Sequence, residues 1–179
     1  MLRLFKKNKK TVFNRLYQSY SKPLFLLVLR YVASQFDAEE VLQRGFIKIY
    51  EALDNFKFEN EKATIGWLNQ IMVNESLLFL REQKRLTLAN DNEFQNLSIL
   101  EIPDIENTLE LESCLKVIRN LPDGYRTVFN LYVIEGYSHK EIAKELNISE
   151  SASRSQLTRA RNTLKTQLKS HNYAAKYVG

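Results

Sequence analysis

Between residues 154 and 159 the chain places Arg154, Ser155, Gln156, Thr158 and Arg159 within six positions. Guanidinium, amide and hydroxyl groups at helical spacing can hydrogen-bond to phosphates and to the edges of bases. Arg pairs with guanine, Gln with adenine, and Ser or Thr with either kind of partner. Nothing in that set is a nucleophile with an adjacent base. The two histidines, His139 and His171, are 32 positions apart, and no glycine-rich phosphate loop or cluster of metal ligands accompanies them. The chemistry on offer is recognition of a polyanion without bond making, with no cofactor or metal.

The flanking residues are suited to hold such a set in place. Ser138-His139-Lys140-Glu141 reads as a capping box opening a short helix. Ile142, Ala143 and Leu146 give that helix an apolar face, with Ala143 small enough for a close helix crossing. Asn147 falls at the turn, where a left-handed backbone is wanted. Ile148 plugs the core and Ser149 caps the next helix, which turns Leu157, Ala160 and Leu164 inward. Segment 138–165 therefore reads as a helix-turn-helix whose second helix enters the DNA major groove. Upstream, Leu111, Leu115, Ile118 and Leu121 predict a further helix. Pro122 suits the first turn of another over about Asp123–Glu135, which Gly136 closes.

The N-terminal half is helical by its own period. Phe13, Leu16, Tyr17 and Tyr20, then Leu24, Leu27, Val28 and Tyr31, recur at three- and four-residue steps. Over Asp37–Leu53 the residues Val41, Leu42, Phe46, Ile49 and Leu53 share one face, with Asp37 as N-cap and Glu40 completing a capping box. Residues 54–65 lose the period and read as a loop. Gly66–Arg85 is helical again, with Trp67, Leu68, Ile71, Met72 and Leu78 on the core face.

Scarcity of Gly (5) and Pro (3) disfavours an all-β fold in a chain that is 44% hydrophobic. Charge is distributed unevenly around a net +5. Six basic and no acidic residues lie in Met1–Arg15, and again in Ser151–Gly179. Asp91, Glu93, Glu101, Asp104, Glu106, Glu110 and Glu112 lie in Leu86–Leu115 without one cation. Such a basic–acidic–basic layout fits two polyanion-facing ends joined by a different middle. Pro103 and the lack of periodicity mark that middle as a linker. A lone Cys114 inside an apolar pattern reads as a buried thiol. No apolar run approaches a membrane span, and Met1–Lys10 lacks a secretory apolar core, so a soluble, cytoplasmic protein without stable membrane insertion is expected. The expected class is all-α: residues 1–85 as one helical domain, 86–108 as linker, 109–170 as a helix-turn-helix domain and 171–179 as tail.

The string from Leu121 to Ala143, continued through Arg154–Arg161, resembles region 4 of a sigma factor of the extracytoplasmic-function type. Asp37-Ala-Glu-Glu-Val-Leu-Gln43 with Phe46 resembles region 2.2, and Trp67-Leu-Asn-Gln-Ile71 with Asn74 and Arg81 resembles regions 2.3 and 2.4. Leu78, Asn147, Ala152 and Ser153 depart from the usual pattern.

The resemblance implies a specificity subunit of RNA polymerase. Its partners would be core RNA polymerase, promoter DNA and an anti-sigma factor. Asp37, Glu39, Glu40, Gln43 and Arg44 would face the polymerase. Phe58, Asn60, Lys62, Asn74, Arg81, Lys84 and Arg85 would serve the −10 element, with Phe56 and Phe58 either stacking an unpaired base or packing under their loop. Arg154, Ser155, Gln156, Thr158 and Arg159 would read the −35 element. The acidic linker would thread a basic RNA path or act as a tether. A stand-alone helix-turn-helix regulator explains residues 138–165 but not the Asp37–Arg85 pattern, and a nucleic-acid hydrolase lacks a nucleophile or metal set.

Overall fold

A computed structural model describes residues 8–89 and 109–170. The linker carboxylates from Asp91 to Glu106 and the tail lie outside those residues. The chain divides into two compact units, parting between Leu100 and Glu101, and among the described residues all regular structure is helical.

The first unit packs three helices: α1 (Lys9–Leu29), α2 (Gln35–Ala52) and α3 (Glu61–Ala89). Helix α1 opens at Asn8, whose side chain accepts from the Lys10 amide. Its buried stripe of Leu16, Leu24, Leu27 and Val28 meets Val41, Phe46 and Ile49 of α2 and Leu68, Met72 and Val73 of α3. Helix α2 begins earlier than the periodicity predicts. Its N-cap is Ser34, which accepts from the Asp37 amide, so Asp37 sits at the third helical position rather than at the cap. The Ala38 amide donates to the Ser34 carbonyl at 3.0 Å, which closes the first turn upstream of Asp37, and Ala38 itself is fully buried. At Gly45 helices α2 and α3 approach closely: a Cβ there would lie 2.4 Å from the Met72 sulfur.

Loop 54–65 is shorter than expected. Asn60 accepts from the Ala63 amide at 2.8 Å and caps α3, which starts at Glu61 and runs to Ala89, past Arg85. Leu78, expected in the core, is 42% exposed, because Leu77 and Phe79 fill the interior. Trp67 is half-buried, at the edge of the core.

The second unit comprises α4 (Leu109–Arg119), α5 (Asp123–Phe129), a π-turn (Asn130–Ile134), α6 (His139–Leu146) and α7 (Glu150–Ser170). The single helix expected over Asp123–Glu135 widens into the π-turn after Phe129. Gly136, at φ +78°, closes it while the Tyr137 amide donates to Leu131. Val117, Leu121, Ala160 and Leu164 form the core between α4 and α7, flanked by Ile118, Tyr125 and Phe129. Cys114 is exposed, contrary to expectation, because Leu115 and Val117 occupy the core side of α4. Buried Arg126 ties α4 to α5: its guanidinium donates to the carbonyls of Arg119 and Leu121, each at 2.9 Å, and to Asp123 at 2.5 Å.

Candidate nucleic-acid interface

In the second unit the helix-turn-helix is held by local devices. Ser138 and Glu141 form a reciprocal capping box: the Ser138 hydroxyl accepts from the Glu141 amide, and the Ser138 amide donates to the Glu141 carboxylate at 2.8 Å. These bonds hold the Glu141 carboxyl below the usual range. Asn147 takes the left-handed conformation (φ 52°, ψ 50°), and the next amide, of Ile148, donates to Ala143. Ser149 caps α7 by accepting from the Ala152 amide at 3.0 Å.

Helix α7 then presents two faces. Leu157, Ala160 and Leu164 are buried, and so is Ser153. Arg154, Ser155, Thr158 and Arg159 are exposed on the other side. Gln156 departs from the expected outward set: it is half-buried and its amide lies over Gly124 of α5, where a Cβ would come within 3.1 Å of Oε1. The exposed groups have local partners. Arg154 pairs with Glu150 at 3.2 Å, Thr158 donates to the Arg154 carbonyl, and Arg159 donates to the Tyr125 hydroxyl at 3.3 Å.

His139, first residue of α6, joins the two helices of the motif. Its Nδ1 lies 2.8 Å from the Ser153 hydroxyl, and its ring stacks on Tyr132 at 4.4 Å. Burial, with Arg154 and Arg161 nearby, pulls the imidazole pKa below its ordinary value, against the opposing pull of Glu150.

In the first unit, Phe56 stacks on Trp67 at 3.9 Å and Phe58 meets Phe56 edge-on at 4.5 Å. Phe56 is thus engaged in packing, and Phe58, like Phe56 and Trp67, is half-buried. Asn60 uses its side-chain oxygen as the cap of α3. Lys62 is exposed. Asn74, Arg81 and Arg85 fall on one exposed stripe of α3 at steps of seven and four, with Leu78 between them and Lys84 alongside. Asn74 accepts from Gln70 at 2.9 Å.

On α2, Glu39 and Gln43 are exposed while Asp37, Glu40 and Arg44 are half-buried. Burial and the neighbouring Glu40 raise the Asp37 pKa, against the hydrogen bond with Ser34. Arg44 is engaged within the unit: it bridges Glu40 at 2.6 Å and Glu82 of α3 at 2.7 Å, beneath which lies the Phe79 ring. Sequence reasoning missed an apolar surface beside these groups. Phe36, Ile47 and Tyr50 are 74%, 58% and 42% exposed. With Phe13, Tyr17 and Gln43, the last two of these edge an open groove of about 410 Å³. The signal was present as Phe36, Gln43, Ile47 and Tyr50 at steps of seven, four and three.

Among the described residues no helix is long and apolar enough to cross a membrane, and no group of His, Cys, Asp and Glu could hold a metal ion.

Family comparisons agree with this layout. Residues 16–86 match the model of sigma-70 region 2, and residues 111–164 match that of sigma-70 region 4. The sigma-E factor of Haemophilus influenzae, an extracytoplasmic-function RNA polymerase sigma factor, is 31% identical over 170 residues, covering 89% of this chain and 88% of its own. Its counterpart in Escherichia coli K12 is 32% identical over 169 residues, covering 88% and 87%. A solved structure of the sigma factor RpoE from Bartonella quintana, in complex with the anti-sigma factor NepR, shares the fold. Its TM-score is 0.58 at 24% identity, over 88% of this chain and 96% of that one. With both regions matched in order and these relatives aligned over nearly their whole length, the chain belongs to the extracytoplasmic-function group of the sigma-70 family.

Proposed function

We propose that the chain binds core RNA polymerase in the cytoplasm and directs promoter-specific initiation, with the first unit serving the polymerase and the −10 element and the second the −35 element. The observation that carries this reading is the two-faced α7. A helix buried along Leu157, Ala160 and Leu164 presents Arg154, Ser155, Thr158 and Arg159 outward, on a helix-turn-helix, in a member of a family of transcription initiation factors. Such factors select DNA; they are not enzymes.

The division of labour follows the chemistry. On α2, Glu39, Glu40 and Gln43 form a polar rim beside exposed Phe36, Ile47 and Tyr50, the composition of a protein-docking surface with an apolar centre. Arg44 supports that surface by fixing α2 on α3, and Asp37 by its place in the first turn. On α3, Asn74, Arg81, Lys84 and Arg85 suit a phosphate track. Lys62 extends it, while half-buried Phe58, edge-on to Phe56, offers a ring to an unstacked base and Asn60 holds its loop. Gln156 acts from a lean against α5 and reaches DNA less directly than its neighbours. An anti-sigma factor is a further partner, since the Bartonella quintana relative of shared fold is held by one. Residues 1–85, 86–108 and 109–170 serve as polymerase domain, linker and upstream-element domain, with 171–179 as tail.

The test is reconstitution with bacterial core RNA polymerase, followed by gel filtration and transcription from the promoter upstream of the protein's own gene. Co-elution and specific initiation are expected. Tight duplex binding with no affinity for core would replace this reading with a stand-alone regulator.

A further inference from the structure

His139 and Ser153 form a polar contact between α6 and the buried face of α7. Around it the seam is apolar, built from Ile142 and Leu157. Apolar contacts are non-directional, so they hold two helices together while leaving their relative rotation weakly fixed. A hydrogen bond constrains direction. Ser153 is fully buried, and a hydroxyl taken out of water in a helix seam needs a partner. His139 supplies it, and its own ring is held by the stack on Tyr132 of the π-turn. The contact falls in the first turn of α7, immediately before Arg154 and Ser155.

That place matters for base reading. At a side-chain radius of roughly 5–6 Å, a turn of α7 by about 10° displaces a side-chain tip by about 1 Å. Hydrogen bonds to base edges do not survive much more than that.

Resting on the DNA-reading function above, we propose that His139 is a positioning residue, which through Ser153 sets the rotation of α7 and so decides which bases Arg154 and Ser155 meet. His139 acts without touching DNA itself.

The test uses the full chain bound to core RNA polymerase and a pool of duplexes randomised across the upstream element. Wild type is compared with His139→Phe, which keeps a ring against Tyr132 but has no nitrogen, with Ser153→Ala, and with His139→Asn, whose amide can meet the Ser153 hydroxyl. His139→Phe and Ser153→Ala are expected to lose roughly fivefold or more of the discrimination at the bases nearest Arg154, while retaining core binding. His139→Asn is expected to restore most of it. Selection by both His139→Phe and Ser153→Ala with undiminished discrimination would overturn the proposal. So would loss in both His139 variants with Ser153→Ala unchanged, because the ring would then contact DNA directly. A wild-type pool without any shared sequence would remove the DNA-reading function, and this inference with it. Should His139→Phe fail to fold, Ser153→Ala, which deletes a single oxygen, decides alone.

Discussion

Arg154 donates to Glu150 at 3.2 Å across one turn of the recognition helix, so in the free protein the leading candidate for base contact is already paired. Both side chains are about half exposed, and a pair of that kind contributes only ~0.2–1 kcal/mol. A bidentate contact to guanine is worth ~1–3 kcal/mol, so DNA wins the exchange. Glu150→Gln is expected to raise affinity for an upstream-element duplex by roughly two- to fivefold, since it frees Arg154 and removes a carboxylate facing phosphates. Arg154→Ala is expected to cost ~1–3 kcal/mol and relax preference at one base pair. Anisotropy titrations against a panel of single-base variants measure both. Equal loss on every sequence would reassign Arg154 to a phosphate.

Glu40 shares Arg44 with Glu82, and this makes it dispensable for folding. After Glu40→Lys, Arg44 keeps its bond to α3, and the new like-charge pair on the surface costs ~0.2–0.5 kcal/mol. Affinity for core polymerase should fall roughly tenfold if Glu40 lies on the rim of the docking surface. With the lost Glu40–Arg44 pair, itself worth ~0.2–0.5 kcal/mol, thermal melting should fall by roughly 2–8 °C. Unchanged core affinity would take Glu40 out of the interface.

Gly45 sets the approach of α2 to α3. Alanine gains ~1 kcal/mol in helix propensity. Its Cβ, however, would meet the Met72 sulfur at 2.4 Å and its methyl at 2.7 Å, and Met72 is fully buried. The end of a methionine side chain can move, but only into a packed core, at a cost of ~1–3 kcal/mol. Gly45→Ala is expected to destabilise by about 1 kcal/mol net. Met72→Ala in the same chain should make room, so that the double variant loses less than the sum of the two. Urea unfolding of all three variants reads that coupling.

The helix-turn-helix was legible because its devices are local. A capping box and a residue tolerant of the left-handed turn sit within ten positions of one another. The start of α2 was not, because Ser34 with Asp37 and Asp37 with Glu40 offer the same spacing. The structure takes the first, with the Asp37 and Ala38 amides both bonded to Ser34, a choice that spacing alone does not make. Cys114 was misplaced for a similar reason: α4 buries a narrow stripe, and periodicity alone does not fix its edge. The Arg44–Glu82 and His139–Ser153 pairs join residues 38 and 14 positions apart, so only helix packing brings them together. The exposure of Phe36, Ile47 and Tyr50 is not legible in the sequence, because apolar residues at helical steps have the same pattern whether they face a core or solvent.

His139 gives the second unit a pH dependence. Burial lowers its pKa first, then Arg154 and Arg161 of α7, while Glu150 of the same helix opposes them and the π-turn contributes the uncharged Tyr132. The folded pKa therefore lies below the unfolded value of about 6.5. As pH falls through that value the unfolded chain takes up the proton first, so stability present above it is lost below it. Melting temperatures measured from about pH 7.5 down to about pH 5.5 should fall more for wild type than for His139→Phe. Carboxylate titrations are common to both and cancel in the difference. Parallel profiles would show that the imidazole stays unperturbed.

Arg126 makes the sharpest stability prediction, because its partners differ so much in exposure. The side chain is 4% exposed, whereas that of Asp123 is 75% exposed. Burial pulls the guanidinium pKa down, and Asp123 only partly offsets this. The bonds that matter are then those to the carbonyls of Arg119 and Leu121, at the end of α4 and the start of the α4–α5 turn. Removing the donor takes a charge-assisted hydrogen bond from each of these two carbonyls, each loss costing ~1–3 kcal/mol. Arg126→Ala is expected to destabilise the second unit by roughly 2–4 kcal/mol, and Arg126→Lys, with one donor group in place of a fork, by roughly half as much. Asp123→Asn removes a carboxylate that is mostly in water and should cost under ~1 kcal/mol. Chemical denaturation of the three variants separates the two accounts: if Asp123→Asn costs as much as Arg126→Ala, the ion pair and not the carbonyl bridge holds α4 to α5.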